Sequence, residues 1–520
     1  MPSAHLPGRA VEDPPSICNS LLPSFPATLA GFNVVLHCGS TMPPTLNFLS
    51  SLLLVLLSFA CMSHSAISAP AAGASFSRRL QRETPLPQSM NMSMDPSERE
   101  TLFRVMEAVS SDRDWRVANP DPCTPGSSWP GIECTLGRQD GLLHVTRLDF
   151  GTPLNPTCRK AAIFPSDVFA LPYLQSLFFF NCFRSRKTSL SAAGSAMEGA
   201  TALQQLSLKS NPALAGSIPP EISSLRSLQI LTLSQNNLQG DIPGAVAGLT
   251  SLVHLDLSYN AFTGTIPSQM GDLKNLVGLD LSYNSLTGSI PASIGQMGAL
   301  QKLDLSSNSL TGGIPESFEN LGSLSFLALS SNRLRGPFPG GLPRLGNLQY
   351  LIMEDNPMAV ELPSQLGQLT RLQELRLGNS GYWGPIPESF GRLCNLTTLS
   401  LQNNHLSGAI PAGLSGLGRI YHLNLSRNML GGVVPFDSSF LRRLGRNLDL
   451  SGNPGLCLNR SEAVVDSVKA GVGVCGANGT SSVMEKQFGR SQGAASVGPP
   501  SPAVLLFGLL GIWGLRLPLF

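Results

Sequence analysis

The sequence predicts an α/β solenoid, a coil of similar turns stacked into one long parallel sheet. Three observations predict it. Leu-x-Leu pairs recur at a fixed period, an asparagine follows most pairs at one phase, and glycine with Ile-Pro closes most turns. From Leu231 through Leu255, Leu279, Leu303, Leu327, Leu351, Leu375 and Leu399 to Leu423 every step is 24 residues. Leu206 and Leu448 extend the series by steps of 25, and Leu148 and Leu177 precede it at spacings of 29, so thirteen strands are expected. Self-similarity at such a period marks a repeat architecture before any residue is considered singly.

One turn, LVHLDLSYNAFTGTIPSQMGDLKN from Leu252, shows how the pattern works. It is the leucine-rich motif L-x-x-L-x-L-x-x-N-x-L. Alternation in Leu255-Asp256-Leu257 sends the leucines inward and the residue between them outward, as a strand requires. One turn cannot bury its own leucines, so the core exists only once turns stack. At about 4.8 Å per strand, thirteen strands span roughly 60 Å. The chain must then leave the strand, and its freed backbone groups need partners. Asn211, Asn236, Asn260, Asn284, Asn308, Asn332, Asn356, Asn404, Asn428 and Asn453 recur at one phase to supply them. An amide carries both donors and an acceptor and can bridge adjacent turns. Glycines such as Gly264 and Gly312 admit backbone angles that other residues resist, and the following proline prevents a helix from starting early.

Open solenoid ends need caps. DPSERETLFRVMEAV, Asp95 to Val109, predicts a helix opened by Asp95 or Ser97, with Pro96 early and acids in the first turn. We place the N-terminal cap at 95–140, the solenoid at 141–453 and the C-terminal cap at 454–480. Seven cysteines remain once those of the leader are set aside, and they flank the repeats. A secreted compartment favours disulfides over metal sites. The candidate pairs are Cys123 with Cys134, Cys158 with Cys182, and Cys457 with Cys475. Cys182 occupies the ladder phase of its turn, where a plain buried thiol is the alternative, and Cys394 is left over as a free, half-buried cysteine.

Both ends lie outside this pattern. Leu46 to Ala60 is an apolar run with small residues after it, the form of a signal-peptide core. We read 42–68 as the signal peptide and 1–41 as an overcalled gene start, a long leader being the alternative. Residues 481–502 form a polar, Pro-rich linker. Residues 503–520 are apolar apart from Arg516. Small residues, spacer and terminal apolar tail form a glycosylphosphatidylinositol signal, with Ser491 and Gly493 as candidate anchor sites. A short membrane segment without a cytoplasmic tail is the rival reading. Asn91, Asn395, Asn424, Asn459 and Asn478 each open an Asn-x-Ser/Thr glycosylation sequon. All of this places the folded part on the extracellular face of the plasma membrane.

The L-x-G-x-I-P half of the turn resembles the plant-specific leucine-rich repeat of receptor kinases and receptor-like proteins. VTRLDFGTPLNPTC (Val145 to Cys158), FPSDVFALPYLQSLFFFNCF (Phe164 to Phe183), LIMEDNPM and DLSGNPGLCL sharpen this. With the cap helix they resemble the plant group containing Too Many Mouths and the Piriformospora-insensitive protein 2 receptor-like proteins. The resemblance covers about Asp95 to Cys475. It implies a right-handed superhelix with disulfide-bearing caps, no kinase, and binding of peptides or receptor-kinase ectodomains on inner and lateral faces.

An enzyme is not expected. With 13% charged residues and a formal net charge of +2, nothing suggests a nucleic-acid surface. His144, His254, His405 and His422 stand without a grouped nucleophile and carboxylate, and no phosphate loop, zinc spacing or kinase motif occurs. No cofactor or metal is required. Asp256, Asp280 and Asp304 would stack on the outer strand face, which solvated acids of an LDLS repeat explain better than a cation ladder. Two binding functions remain. One is a cell-surface co-receptor for a secreted peptide or a receptor-kinase ectodomain. The other is an apoplastic inhibitor of a microbial wall-degrading enzyme, of the polygalacturonase-inhibitor kind; thirteen turns and an anchor-like tail favour the first.

Most turns present Ser, Thr, Gln and Asp outward. The turns at Leu351 and Leu375 differ, presenting Tyr350, Ile352, Glu354 and Asp355, then Glu374 and Arg376. Tyrosine and arginine are favoured interface anchors, and mixed charges fix register. These six residues are the candidate partner surface. In LGNSGYWGPIP, Leu377 to Pro387, Ser380 takes the ladder place, Tyr382 the leucine slot and Trp383 a side-facing position. The preceding turn carries Val360 in place of the usual glycine. Trp383 joins the partner-binding candidates as a lateral contact, with Tyr382 as its support.

Overall fold

The computed structural model describes residues 93–110, 113–124, 130–152, 154–459 and 471–476. Its main sheet holds fourteen strands. Thirteen are parallel, from Leu143–Phe150 to Leu448–Asp449, and the leucines picked out by the repeat pair directly across them. The fourteenth, Ile132–Leu136, is antiparallel to Leu143–Phe150 and closes the N-terminal edge. The period of two explains the core. Leu255, Leu279, Leu303 and Leu327 are buried, as are the leucines two residues after each of them.

The asparagines do what their phase requires. Asn332 donates through Nδ2 to the Leu305 carbonyl of the preceding turn (2.9 Å) and to its own Leu329 carbonyl (3.1 Å), while its Oδ1 accepts from the Leu310 amide (3.0 Å). Asn284, Asn308, Asn404 and Asn428 repeat this arrangement. The residue before each ladder asparagine takes a left-handed φ, 53° at Tyr259 and 54° at Ser331, which swings the chain out of the strand. Beyond it the chain makes a second, lateral row of short pairings. It runs through Ala215–Gly216, Asn237–Asp241 and Ala261–Thr263, and later from Trp383–Pro385 to Gly473–Val474. The convex side is made of one-turn 3₁₀ helices, most of them following the proline that closes the turn, as at Ser268–Asp272 behind Pro267, whereas Leu342–Arg344 follows Gly341. The helical part of this α/β fold is thus 3₁₀ along the solenoid and α-helical near its two ends.

Helix α1, Pro96–Val109, is capped by Asp95, whose side chain accepts from the Ser97 and Glu98 amides. It lays Leu102, Val105, Met106 and Val109 on the first turn. A short α2, Trp115–Ala118, follows, with Trp115 buried. Near the other end α3, Ser438–Leu444, fills the 25-residue step before Leu448 and was not expected from the sequence. Disulfides join Cys123 to Cys134, Cys158 to Cys182 and Cys457 to Cys475. Cys394 is not the free thiol expected of it: its sulfur is disulfide-bonded. The leader, the linker and the apolar tail lie outside the described residues.

A polar chain is buried in the N-terminal cap. His144 Nδ1 meets Glu98 Oε1 at 2.7 Å, and its Nε2 meets Asp140 Oδ2 at 3.0 Å. Tyr173 stacks on the imidazole with ring centroids 3.8 Å apart, and Asp95 is the remaining acid acting on it. Burial pushes the imidazole pKa down, but the bonds to Glu98 and Asp140 outweigh it and raise the value.

Two predictions follow from these contacts. Asn404 serves the Leu377 and Leu401 carbonyls and the Ser380 and Tyr382 amides. Asn404→Ala should therefore destabilise the protein by about 3 kcal/mol, read as a lowered urea midpoint, whereas Gln239→Ala on the exposed surface should leave it in place. For His144, a folded pKa raised above the ordinary value means stability fully present below about pH 6.5 and lost as pH rises through the elevated value. Hydrogen-exchange protection of α1, corrected for intrinsic exchange, should fall as pH rises from about 6 to 8, and His144→Gln should abolish that dependence.

Candidate partner-binding faces

The concave face is assembled from the residues flanking each strand leucine. Parallel register sets Gly278, Lys302, Phe326, Tyr350 and Glu374 in one row, and Asp280, Asp304, Ala328, Ile352 and Arg376 in the next. The Lys302 ammonium bonds Asp280 at 2.8 Å and lies 5.7 Å from the centroid of the Phe326 ring. Phe326 and Tyr350 are 5.8 Å apart, and the Tyr350 hydroxyl donates to Gln373 Oε1 at 3.3 Å. A cation, two rings and Ile352 thus form a continuous strip over buried Ala328.

Charge brackets that strip. On its N-terminal side Asp256, Asp280 and Asp304 are each fixed by a serine two residues on, with 2.6 Å bonds from Ser258 and Ser282. Burial, and then the neighbouring Asp280, pushes the Asp304 carboxyl pKa up. Burial would push the Lys302 ammonium down, but Asp280 and the flanking acids hold it above its ordinary value. On the C-terminal side Arg376 pairs with Glu374. Glu354 reaches across the next turn to accept from Ser400 Oγ at 2.9 Å and Gln402 Nε2 at 3.3 Å. That span is open because the intervening residue is Gly378, where a Cβ would meet Gln402 at 2.5 Å. Asp355 accepts from Asn379 at 2.9 Å at the edge of the same surface.

The structure therefore gathers Tyr350, Ile352, Glu354, Asp355, Glu374 and Arg376 on one face. Trp383 stands apart, in the lateral row, paired with His405. Sequence reasoning missed Lys302, Phe326 and Ala328. The signal for Phe326 and Ala328 was present in SFLALS, where apolar residues take both outward positions flanking Leu327. It also missed Tyr259 and Tyr283, both about half exposed, whose rings stack 4.1 Å apart.

Around Trp383, Ser380 keeps part of the ladder: its Oγ donates to the Gly378 carbonyl at 2.9 Å and accepts from the Asn356 amide at 3.3 Å. Tyr382 is wholly buried and stacks on Phe338 with centroids 6.2 Å apart. Its hydroxyl has no hydrogen-bond partner, and burial pushes its pKa well above the ordinary value. Among the sequons, Asn395 uses its amide to bond the Thr370 carbonyl at 2.8 Å, Asn424 accepts from Ser426 on the concave face, and Asn459 is exposed. Asn91, Asn478, Ser491 and Gly493 lie outside the described residues.

The leucine rich repeat family matches residues 201–262, 262–310, 300–358 and 370–430. Receptor like protein 29 of Arabidopsis thaliana is 63% identical over 147 residues, which are 28% of this chain and 31% of that protein. Piriformospora indica-insensitive protein 2 of the same plant is 32% identical over 195 residues, 36% of this chain and 41% of that protein. The chain carries leucine rich repeats and is similar to a plant receptor-like protein. The matched segments span well under half of either relative's length. Among solved structures, this chain superposes on PEPR1 bound to AtPEP1 with a TM-score of 0.59 and 31% identity, covering 70% of this chain and 49% of that one. On the HAESA ectodomain of Arabidopsis with an extended IDA peptide hormone, the TM-score is 0.58 and the identity 29%, covering 70% and 58%.

Because the Tyr382 hydroxyl is buried without a partner, its removal deletes a desolvation cost and no bond. Tyr382→Phe should raise stability by about 1 kcal/mol, seen as a higher urea midpoint; a lowered midpoint would show that the hydroxyl is bonded.

Proposed function

We propose that this receptor-like protein is an extracellular co-receptor that takes an extended peptide, or a segment of a receptor-kinase ectodomain, across its concave strip. The observation that carries the reading is the half-exposed Phe326, Tyr350 and Ile352 bracketed by acids on one side and Arg376 on the other. Aromatic anchors with charge at both ends suit recognition in which burial supplies affinity and charge sets direction. Likeness to two plant ectodomains solved with peptides supports it. No helix among the described residues is long and apolar enough to cross a membrane. Attachment to the membrane by a C-terminal anchor therefore rests on the sequence of 503–520 alone.

The test begins with crosslinking of the tagged protein in plant tissue and mass spectrometry of what it captures. Crosslinked sites should fall on the turns from Leu303 to Leu375. A captured partner should then bind the Tyr350→Ala, Arg376→Ala double variant more than about tenfold more weakly, with melting unchanged. Undiminished affinity would refute the concave reading.

A further inference from the structure

We propose that the break in the lateral row of pairings is a second docking surface, built for an extended basic segment of a partner protein. The break has a local cause. At this phase Gly312, Gly336 and Gly384 take φ of 75°, 91° and 77°. Val360 holds that place in its turn and, being β-branched, resists such an angle. The left-handed residue moves one position back, to Ala359 with φ 50°. The consequence is visible in the bonds. The Gly264, Gly288 and Gly312 carbonyls accept from the Thr287, Thr311 and Arg335 amides of the following turns, at 2.7–2.8 Å. The next bond in that series would run from the Ala359 amide to Gly336, but Ala359 donates to Ser380 instead (3.2 Å). Among the described residues the Gly336 carbonyl is left without a backbone donor.

Two adjoining clefts open at this break. The first, of about 490 Å³, has Phe338, Leu342, Val360 and Trp383 among its walls. The second, of about 510 Å³, shares Glu361, Pro363 and Gln365 with it and continues past Pro385 to Glu388. Trp383 is 48% exposed, and its Nε1 donates to the Ala359 carbonyl at 3.3 Å, which holds the ring at the cleft mouth. Phe338 is backed by the ring of Tyr382, so the floor is rigid. The charged residues lining the two clefts are Glu361 and Glu388, both exposed and neither in an ion pair among the described residues; no lysine or arginine lines them.

An apolar trough walled by prolines and one tryptophan, with only carboxylates on its rim, selects an extended chain with apolar or prolyl rings and a lysine or arginine. The rings rest on Trp383, the stem of the basic side chain covers the apolar wall, and its head meets Glu361 or Glu388. This surface is separate from the concave strip, so either can fail without the other.

The probe is the synthetic peptide acetyl-PPRLPPKLPP-amide, titrated calorimetrically into the purified protein, with PPELPPELPP as its acidic counterpart. Trp383→Ala, and the pair Glu361→Gln with Glu388→Gln, should each weaken binding roughly fivefold or more. The acidic peptide should bind at least about tenfold more weakly, and Tyr350→Ala with Arg376→Ala should leave affinity unchanged. If Trp383→Ala misfolds, the two glutamate substitutions, both at exposed sites, carry the test. Equal binding of the two peptides, indifference to both sets of variants, or no binding by the unaltered protein would each overturn the proposal. So would sedimentation showing that the same variants split a dimer, since a second copy would then be the occupant.

Discussion

Everything in this molecule depends on the asparagine ladder. A strand of three residues ends almost as soon as it begins, and the chain must turn away while its amides and carbonyls remain inside the stack. One side chain per turn resolves this by bonding its own turn and the preceding one at once, as Asn332 does to Leu329, Leu305 and Leu310. The leucines supply most of the driving force, but burial has no direction. The ladder supplies it, holding neighbouring turns in one register over the whole length. Because each ladder residue serves groups in two turns, stability is shared between neighbours rather than stored in any one of them.

That division leaves the outward strand positions free of structural duty. Residues between the leucines touch neither the core nor the ladder, so their chemistry is available for recognition. Most turns use it for serine bonds that merely fix an aspartate, as at Asp256 and Asp280. The stretch from Lys302 to Arg376 differs, with half-buried rings and aliphatic carbon between opposite charges. Its ion pairs are not all free for a partner. Glu374 is largely committed to Arg376 and Glu354 to Ser400 and Gln402, so Tyr350, Ile352 and the outer edge of Arg376 are the groups a ligand can reach most directly.

The sequence made the strands, the ladder and the capping helix legible because each rests on a local rule repeated many times. Leucine alternation and one asparagine per turn leave little freedom. What it concealed depends on neighbours in space. The antiparallel strand Ile132–Leu136 exists only because the first turn has an open edge to cover. Helix α3 is short and sits inside what reads as one more turn, differing by a single residue in the step before Leu448. Within the candidate face, Tyr350 and Arg376 stood out against polar neighbours, whereas Phe326 reads as one more apolar residue until register sets it between Lys302 and Tyr350. The separation of Trp383 from the concave group was legible from phase, since it follows the leucine slot rather than flanking the strand.

The departures in two adjacent turns are best understood as one change rather than several. With valine at position 360, the left-handed angle moves to Ala359 and the lateral bond to Gly336 is lost. Losing it opens a space on that side, and larger side chains occupy its walls: Phe338 from one turn, with Tyr382 behind it from another. Tyr382 fills a leucine slot with a ring whose hydroxyl finds no partner, a cost that packing alone would not select over leucine. Ser380 gives up an amide's reach in the same turn. A stack selected only for stability would keep glycine, leucine and asparagine at these three places, as the turn at Leu303 does with Gly312, Leu310 and Asn308. That all three depart together, beneath an exposed tryptophan and without disturbing the 24-residue period, argues that the local loss is tolerated for what the surface above it does.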